Sequence, residues 1–214
     1  FTATAQNLWT EIPLPVTSTN LSISFADSGH GCLWSSDGMF LYTSDGGGTW
    51  SVDTIPSYAT KCELVSSNVV WCYRPGAATP GQATFFRSSD RGRTWLRKYY
   101  PDTLLVLGAN FVSEDFAQFV TPTYSWATTN GGDSWQRRGQ LLGSSWVYYA
   151  YDHAVEFFDE SVGYVSGSFP LVGGDLWPQK TTDGGFTWND GFVGVWGSGG
   201  GAVNQSSGPL RFSG

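Results

Sequence analysis

Acidic side chains set in a recurring frame are the residues of this 214-residue chain that could do chemistry. Asp45, Asp90 and Asp183, with Asn130 as an amide counterpart, each sit in an eight-residue stretch running Thr43–Trp50, Ser88–Trp95, Thr181–Trp188 and Thr128–Trp135. The common form is (Ser/Thr)-x-(Asp/Asn)-x-Gly-x-(Ser/Thr)-Trp. Repeated carboxylates could hold a metal ion or act as general acids and bases. Asn130 argues against both, because it keeps an acceptor oxygen and has no charge. The property shared by all four is hydrogen-bond acceptance, and an Asp or Asn that accepts from backbone N–H groups one or two residues ahead closes an Asx-type turn. Gly47, Gly92, Gly132 and Gly185 then supply a positive φ. Trp50, Trp95, Trp135 and Trp188 open the following strand and bury a ring between layers. The frame reads as turn chemistry, with the flanking hydroxyls serving the same turn.

The rest of the chain offers little reactive chemistry. His30 and His153 are the only histidines and lack metal-ligand spacing. No Gly-x-Ser-x-Gly elbow and no phosphate loop occurs. Asp152, Glu156 and Asp175 could supply a carboxylate pair for glycoside hydrolysis, but spacing alone does not bring any two within about 5–10 Å. No cofactor is implied. A net charge of −7 excludes nucleic acid as a partner. The basic residues Arg87, Arg91, Arg93, Arg97, Lys98, Arg137 and Arg138 read as decoration of strand edges and turns. No stretch is long and apolar enough for a membrane span. No signal peptide is visible and Phe1 is not an initiator Met, so the chain reads as a mature or trimmed product of an exported, secreted type. If residues 66–68 form a turn, Cys62 and Cys72 fall opposite each other. A disulfide there would imply an oxidising compartment; the alternative is two buried thiols. Cys32, taken to share a repeat column with Cys72, reads as a buried thiol. Asn20 and Asn204 match the glycosylation acceptor pattern, as chance alone would give in a Ser-rich chain.

The elements that position these residues follow from the repeat. The four tryptophans are 45, 40 and 53 residues apart, a period of propeller blades. Residues 21–26, 31–35, 39–43 and 49–55 read as four strands, with Ser36-Asp37-Gly38 as a hairpin turn and the Asp45 stretch joining the third to the fourth. Aromatic residues at 16% against 14% charged, with 28 glycines, is an all-β composition. The expected fold is one small β-propeller of four-stranded antiparallel blades at about 21–60, 61–107, 108–152 and 153–193. A fifth blade would be built from 194–214 plus 1–20, with Asn7–Pro13 as its fourth strand, so that both termini close the ring. Four blades with loose ends is the alternative.

The eight-residue pattern resembles the Asp-box, or BNR repeat, of β-propellers. The lead-ins Ile23–Gly31 and Val155–Tyr164 look like the hydrophobic-x-Phe-x-Asp-x-x-x-Gly pattern of photosystem II stability/assembly factor-like repeat proteins. Phe111 and Val65 fill the Phe25 column, and Ser113 and Ser67 fill the Asp27 column. The resemblance covers roughly residues 20–195 and implies an assembly-factor role. Sialidases also carry Asp-boxes, but their early Arg-Ile-Pro motif is absent and the chain is too short for six blades.

In such blades all boxes lie on one face, and the long loops lie on the other. Function tends to sit on loops held by a rigid scaffold. The candidate binding face therefore comprises Arg74, Trp146, Tyr149, Tyr151, Asp152, Asp175 and Trp177. Flat aromatic rings beside an acid suit a protein surface or a glycan. The leading expectation is a non-catalytic binding scaffold. Alternatives are a lectin, a self-associating structural subunit of an extracellular assembly, and, least favoured, a sialidase-like glycosidase.

Overall fold

The computed structural model describes residues 11–16, 21–35, 37–56, 59–75, 85–101, 105–141, 154–166 and 178–190. Among them the secondary structure is all β, in four four-stranded antiparallel sheets. The first holds β1 (Leu21–Phe25), β2 (Gly31–Ser35), β3 (Met39–Thr43) and β4 (Ser51–Thr54). The second holds β5 (Lys61–Leu64), β6 (Val70–Tyr73), β7 (Phe85–Ser88) and β8 (Leu96–Lys98). The third holds β9 (Gly108–Phe111), β10 (Ala117–Val120), β11 (Tyr124–Thr128) and β12 (Gln136–Gln140). The fourth holds β13 (Ala154–Phe157), β14 (Gly163–Ser166), β15 (Gln179–Thr181) and β16 (Asn189–Asp190). In each sheet the strands pair in chain order. These are the blades of a β-propeller.

Burial explains the composition of the strands. Every residue of β2, β6 and β10 is buried, because a central blade strand is covered on both sides. The outer strand β4 is largely exposed. Three apolar clusters fill the seams. The first joins Trp34, Phe40 and Tyr42 to Cys62, Leu64 and Phe86. The second joins Trp71, Tyr73 and Phe85 to Phe111, Phe119 and Trp135. The third joins Leu107 and Val120 to Val155, Phe157 and Trp188. Polar bonds cross the same seams. The Leu64 amide donates to Ser24 Oγ at 3.0 Å, and the Phe157 amide donates to Asn110 Oδ1 at 3.0 Å.

The pairing register corrects the repeat alignment in the second blade. Phe25 pairs with Gly31, Phe111 with Ala117 and Phe157 with Gly163; the matching pair is Leu64 with Val70. Leu64, not Val65, therefore fills the Phe25 column. Ser66, not Ser67, fills the Asp27 column, and its Oγ accepts from the Asn68 and Val69 amides. Asp27 accepts from Gly29 and His30 in the same way, and Asp159 accepts from Ser161 and Val162. The same register puts Cys32 level with Trp71, while Cys72 is level with Leu33. The sequence alignment slipped by one residue because a run of small serines has no aromatic to anchor it.

Cys62 and Cys72 are directly paired across β5 and β6 and joined by a disulfide, and Cys32 is a buried free thiol. Gly38 makes the expected hairpin turn at φ 94°. Of the fifth blade expected from 194–214 plus 1–20, the segments 1–10, 17–20 and 194–214 lie outside the described residues, as do 191–193 of the expected fourth blade. Residues 11–13, expected at the end of the fifth blade's fourth strand, are not in a strand. A strand is defined by its ladder, and no described strand pairs with them.

Candidate functional site

Each Asp-box is a closed knot of hydrogen bonds. In the first, Thr43 Oγ1 donates to Asp45 Oδ1 at 2.8 Å and accepts from the Gly47 amide at 2.9 Å. Asp45 then reaches four residues ahead, not one or two, and takes the Thr49 amide at 2.8 Å and the Thr49 hydroxyl at 2.7 Å. The second and fourth boxes repeat this with Ser88, Asp90 and Thr94, and with Thr181, Asp183 and Thr187. In the third, Asn130 Oδ1 accepts from the Ser134 amide at 3.0 Å and its Nδ2 donates to Ser134 Oγ at 2.9 Å. The amide reverses one bond and keeps the loop. Both central residues of every box are left-handed: Gly46 and Gly47, Arg91 and Gly92, Gly131 and Gly132, Gly184 and Gly185. Arg91, at φ 68°, is the one non-glycine among the described residues with positive φ.

These bonds set the acidity of the boxes. The Thr49 amide, then the Thr49 and Thr43 hydroxyls, hold Asp45 at about 2 against an ordinary 3.8. Desolvation pulls Asp90 and Asp183 upward, but their Thr and Ser partners outweigh it and both lie below the ordinary value. The carboxylates are ionised, saturated and committed to the turn, so they are poor general acids. A depressed folded value means that the unfolded chain takes up protons first on acidification. The boxes' contribution is complete above about pH 4 and drains away as the pH falls towards 2. The melting temperature is therefore expected to drop steeply over that interval. It should drop less in the D45N/D90N/D183N variant, which copies the third box; equal slopes would refute the assignment.

The buried hydroxyl is the keystone of the third box. Thr128 is 1% exposed, and its Oγ1 accepts from the Gly132 amide at 2.9 Å. Thr128→Val keeps the shape and strands that amide. It is expected to destabilise the fold by about 1–3 kcal/mol in urea titration.

The tryptophans divide into two kinds. Trp135 and Trp188 are buried, whereas Trp50 and Trp95 are only partly so, which departs from uniform burial. Trp95 packs edge-on against Phe40 of the first blade at 5.7 Å, and its Nε1 donates to the Thr54 carbonyl at 3.1 Å. Its free side lines a cleft of about 240 Å³ with Thr54, Ile55, Pro56, Phe86 and Arg97. The cleft lies between β4 of the first blade and β7 and β8 of the second, and Trp95, the last residue of the second box, forms part of its wall. Phe86 and Trp95 give it aromatic walls, and Arg97 crosses Phe86 at 5.9 Å. The arrangement can take one large apolar side chain with an acidic neighbour.

Of the expected binding-face residues, Arg74 is exposed just beyond β6 and does not line the cleft. Trp146, Tyr149, Tyr151, Asp152, Asp175 and Trp177 lie outside the described residues, as does His153. Among the described residues no cluster of His, Cys, Asp and Glu could hold a metal ion, and no helix is long and apolar enough to cross a membrane. The cleft was missed because its walls come from three separated strands, and its one motif residue, Trp95, carries the signature of a packing residue.

Several basic residues do more than decorate edges. Arg87 donates to the Glu114 carbonyl at 3.1 Å and lies over Trp71. Arg91 donates to Asn68 Oδ1 at 2.9 Å. Lys98 pairs with Asp133 of the third blade at 2.5 Å, which lowers the Asp133 pKa. Arg138 lies 4.1 Å from the Phe186 ring centre of the fourth blade, and its burial lowers its pKa. Arg87, Lys98 and Arg138 therefore each reach into the following blade.

A family model described as Photosynthesis system II assembly factor YCF48 matches residues 1–97. Among solved structures, YCF48 from Cyanidioschyzon merolae is similar at 20% identity and a TM-score of 0.58, over 85% of this chain and 59% of that one. An ancestral GH74 enzyme is similar at 14% identity and a TM-score of 0.56, over 79% of this chain and 25% of that one. A GH74 enzyme from Niastella koreensis gives 16% and 0.54, over 80% and 30%. No curated protein matches. The chain thus spans 59% of the length of the algal YCF48. Identities at this level speak for the fold, and together with the four boxes they support one statement: this chain is a β-propeller of the Asp-box, or BNR, type that resembles the photosystem II assembly factor YCF48.

Proposed function

We propose that this propeller is a non-catalytic scaffold that binds a protein partner, with the cleft at Trp95 and Arg97, between the first two blades, as an anchor point. The observation that carries the reading is the contrast between the two sets of candidate residues. The box carboxylates are used up in their own turns, whereas the cleft offers a partly exposed indole and an exposed arginine over the buried Phe86 ring. Aromatic and arginine side chains in a partly enclosed hollow are the usual anchors of protein recognition. The match of residues 1–97 to an assembly-factor family agrees with this, and it covers the whole cleft. The Cys62–Cys72 disulfide supports an exported, oxidising compartment.

An array of acidic peptides, each bearing one large apolar side chain, tests the reading, with a glycan array in parallel. Peptide binding is expected. Trp95→Ala should weaken it about thirtyfold, as loss of a central anchor does. Arg97→Glu, a surface change that spares the core, should weaken it about tenfold and make the remainder less sensitive to salt. Glycan hits without peptide hits, or peptide binding that survives Arg97→Glu unchanged, would overturn the proposal.

A further inference from the structure

The first blade has a face that its repeats say should be covered. Phe25, Leu64, Phe111 and Phe157 occupy one column of the innermost strands. Leu64, Phe111 and Phe157 are 3%, 4% and 5% exposed, because each packs into the preceding blade; Phe25 is 43% exposed. Two residues earlier, Cys62 and Val155 are buried, while Ile23 is 62% exposed. Two apolar side chains built for a seam therefore stand open on β1.

A second column points to what belongs there. The second glycine of each box presses on the blade before it. A Cβ at Gly92 would meet Phe40, one at Gly132 would meet Lys98 and Trp71, and one at Gly185 would meet Gln118 and Ser125. At Gly47 the same Cβ would meet Ile12, at 3.1 Å. Ile12 thus stands where the other seams have the preceding blade, at the position of the end of a unit before β1. Ile12 lies three residues after Trp9, as Lys98 lies three after Trp95.

We infer that residues 191–214 dock on the Ile23 and Phe25 face of β1 and, with the segment around Ile12, complete a closing blade. The occupant is chosen by sequence and position. The segment follows β16 directly, and its 24 residues are enough for three strands of about four residues with tight turns. It carries Phe192, Val193, Val195, Trp196, Val203, Leu210 and Phe212 and a single charge, Arg211, among eight glycines and four serines. The seven bulky apolar side chains give the segment area to bury, and the glycines allow the tight turns that three short strands need.

The test uses the full chain with p-benzoylphenylalanine in place of Phe25. After irradiation, mass spectrometry should find an intrachain cross-link to a peptide within 191–214. In parallel, an Ile23→Cys thiol should be alkylated at least about tenfold more slowly than a Val52→Cys thiol on exposed β4, as expected of a site protected by a folded neighbour. Deleting 191–214 should abolish that difference. A cross-link to a second copy of the chain, a cross-link confined to β1 and β2, or equal alkylation rates in the full chain would each overturn the inference. None of these readouts depends on the binding cleft.

Discussion

Gly92→Ala should destabilise the propeller by about 3 kcal/mol, which two effects combine to produce. Gly92 has φ 84°, where an alanine costs roughly 1–2 kcal/mol more than glycine. The added methyl would also stand 2.3 Å from the ring of Phe40, a side chain with no exposure and little room to move; overpacking of that kind costs roughly 1–3 kcal/mol. Gly38 is the control. It has φ 94° with nothing within 4 Å of the added carbon, so Gly38→Ala should show only the backbone cost, about 1 kcal/mol. The measurement is urea unfolding followed by tryptophan fluorescence. If the two variants unfold at the same midpoint, the box glycine is conformational only and does not set the distance between blades.

Trp71→Ala is expected to have the larger effect, about 3–5 kcal/mol. Trp71 is fully buried at the seam of the second and third blades. It stacks on Phe111 at 5.1 Å, meets Trp135 edge-on at 6.5 Å and lies under Arg87. Truncation would empty the middle of the largest aromatic cluster. Trp71→Phe should recover much of the loss, because the Trp71 indole N–H has no hydrogen-bond partner and removing it leaves nothing stranded. A truncation that shifts the unfolding midpoint no more than a surface substitution does would show that the seam is not what holds neighbouring blades together.

Much of the architecture was legible in the residues because the boxes carry both ends of the relevant information. The Asp or Asn and the Gly specify a turn locally, and the Trp that follows specifies what the next strand must pack against. In the first blade, β2 and β3 begin and end where the residue pattern put them. β4 is shorter than residues 49–55 because Thr49 belongs to the box and Ile55, whose amide donates to the Gly38 carbonyl at 3.0 Å, lies just beyond the ladder. Where the pattern thinned, so did the reading. Val65 and Ser67 were placed one residue late because Leu64-Val65-Ser66-Ser67 offers two equivalent ways to alternate, and only the ladder to Val70 decides. The reach of Asp45 to Thr49 depends on two consecutive left-handed residues, and Arg91 hides that requirement by standing where glycine is expected. The cleft at Trp95 was not legible at all. Trp95 carries the box signature of a packing residue, and its exposed edge becomes apparent only when Pro56 and Phe86 are brought beside it.

The box glycines and the cations on the blade edges give the four described blades a direction of growth. Gly92, Gly132 and Gly185 each rest on side chains that lie earlier in the chain, and the latch residues Arg87, Lys98 and Arg138 each wait for one that lies later. As the polypeptide emerges from the ribosome, every new unit finds a finished platform to settle on, and contacts between neighbours suffice to pass order along. Assembly of this kind advances through partners that are already close along the chain.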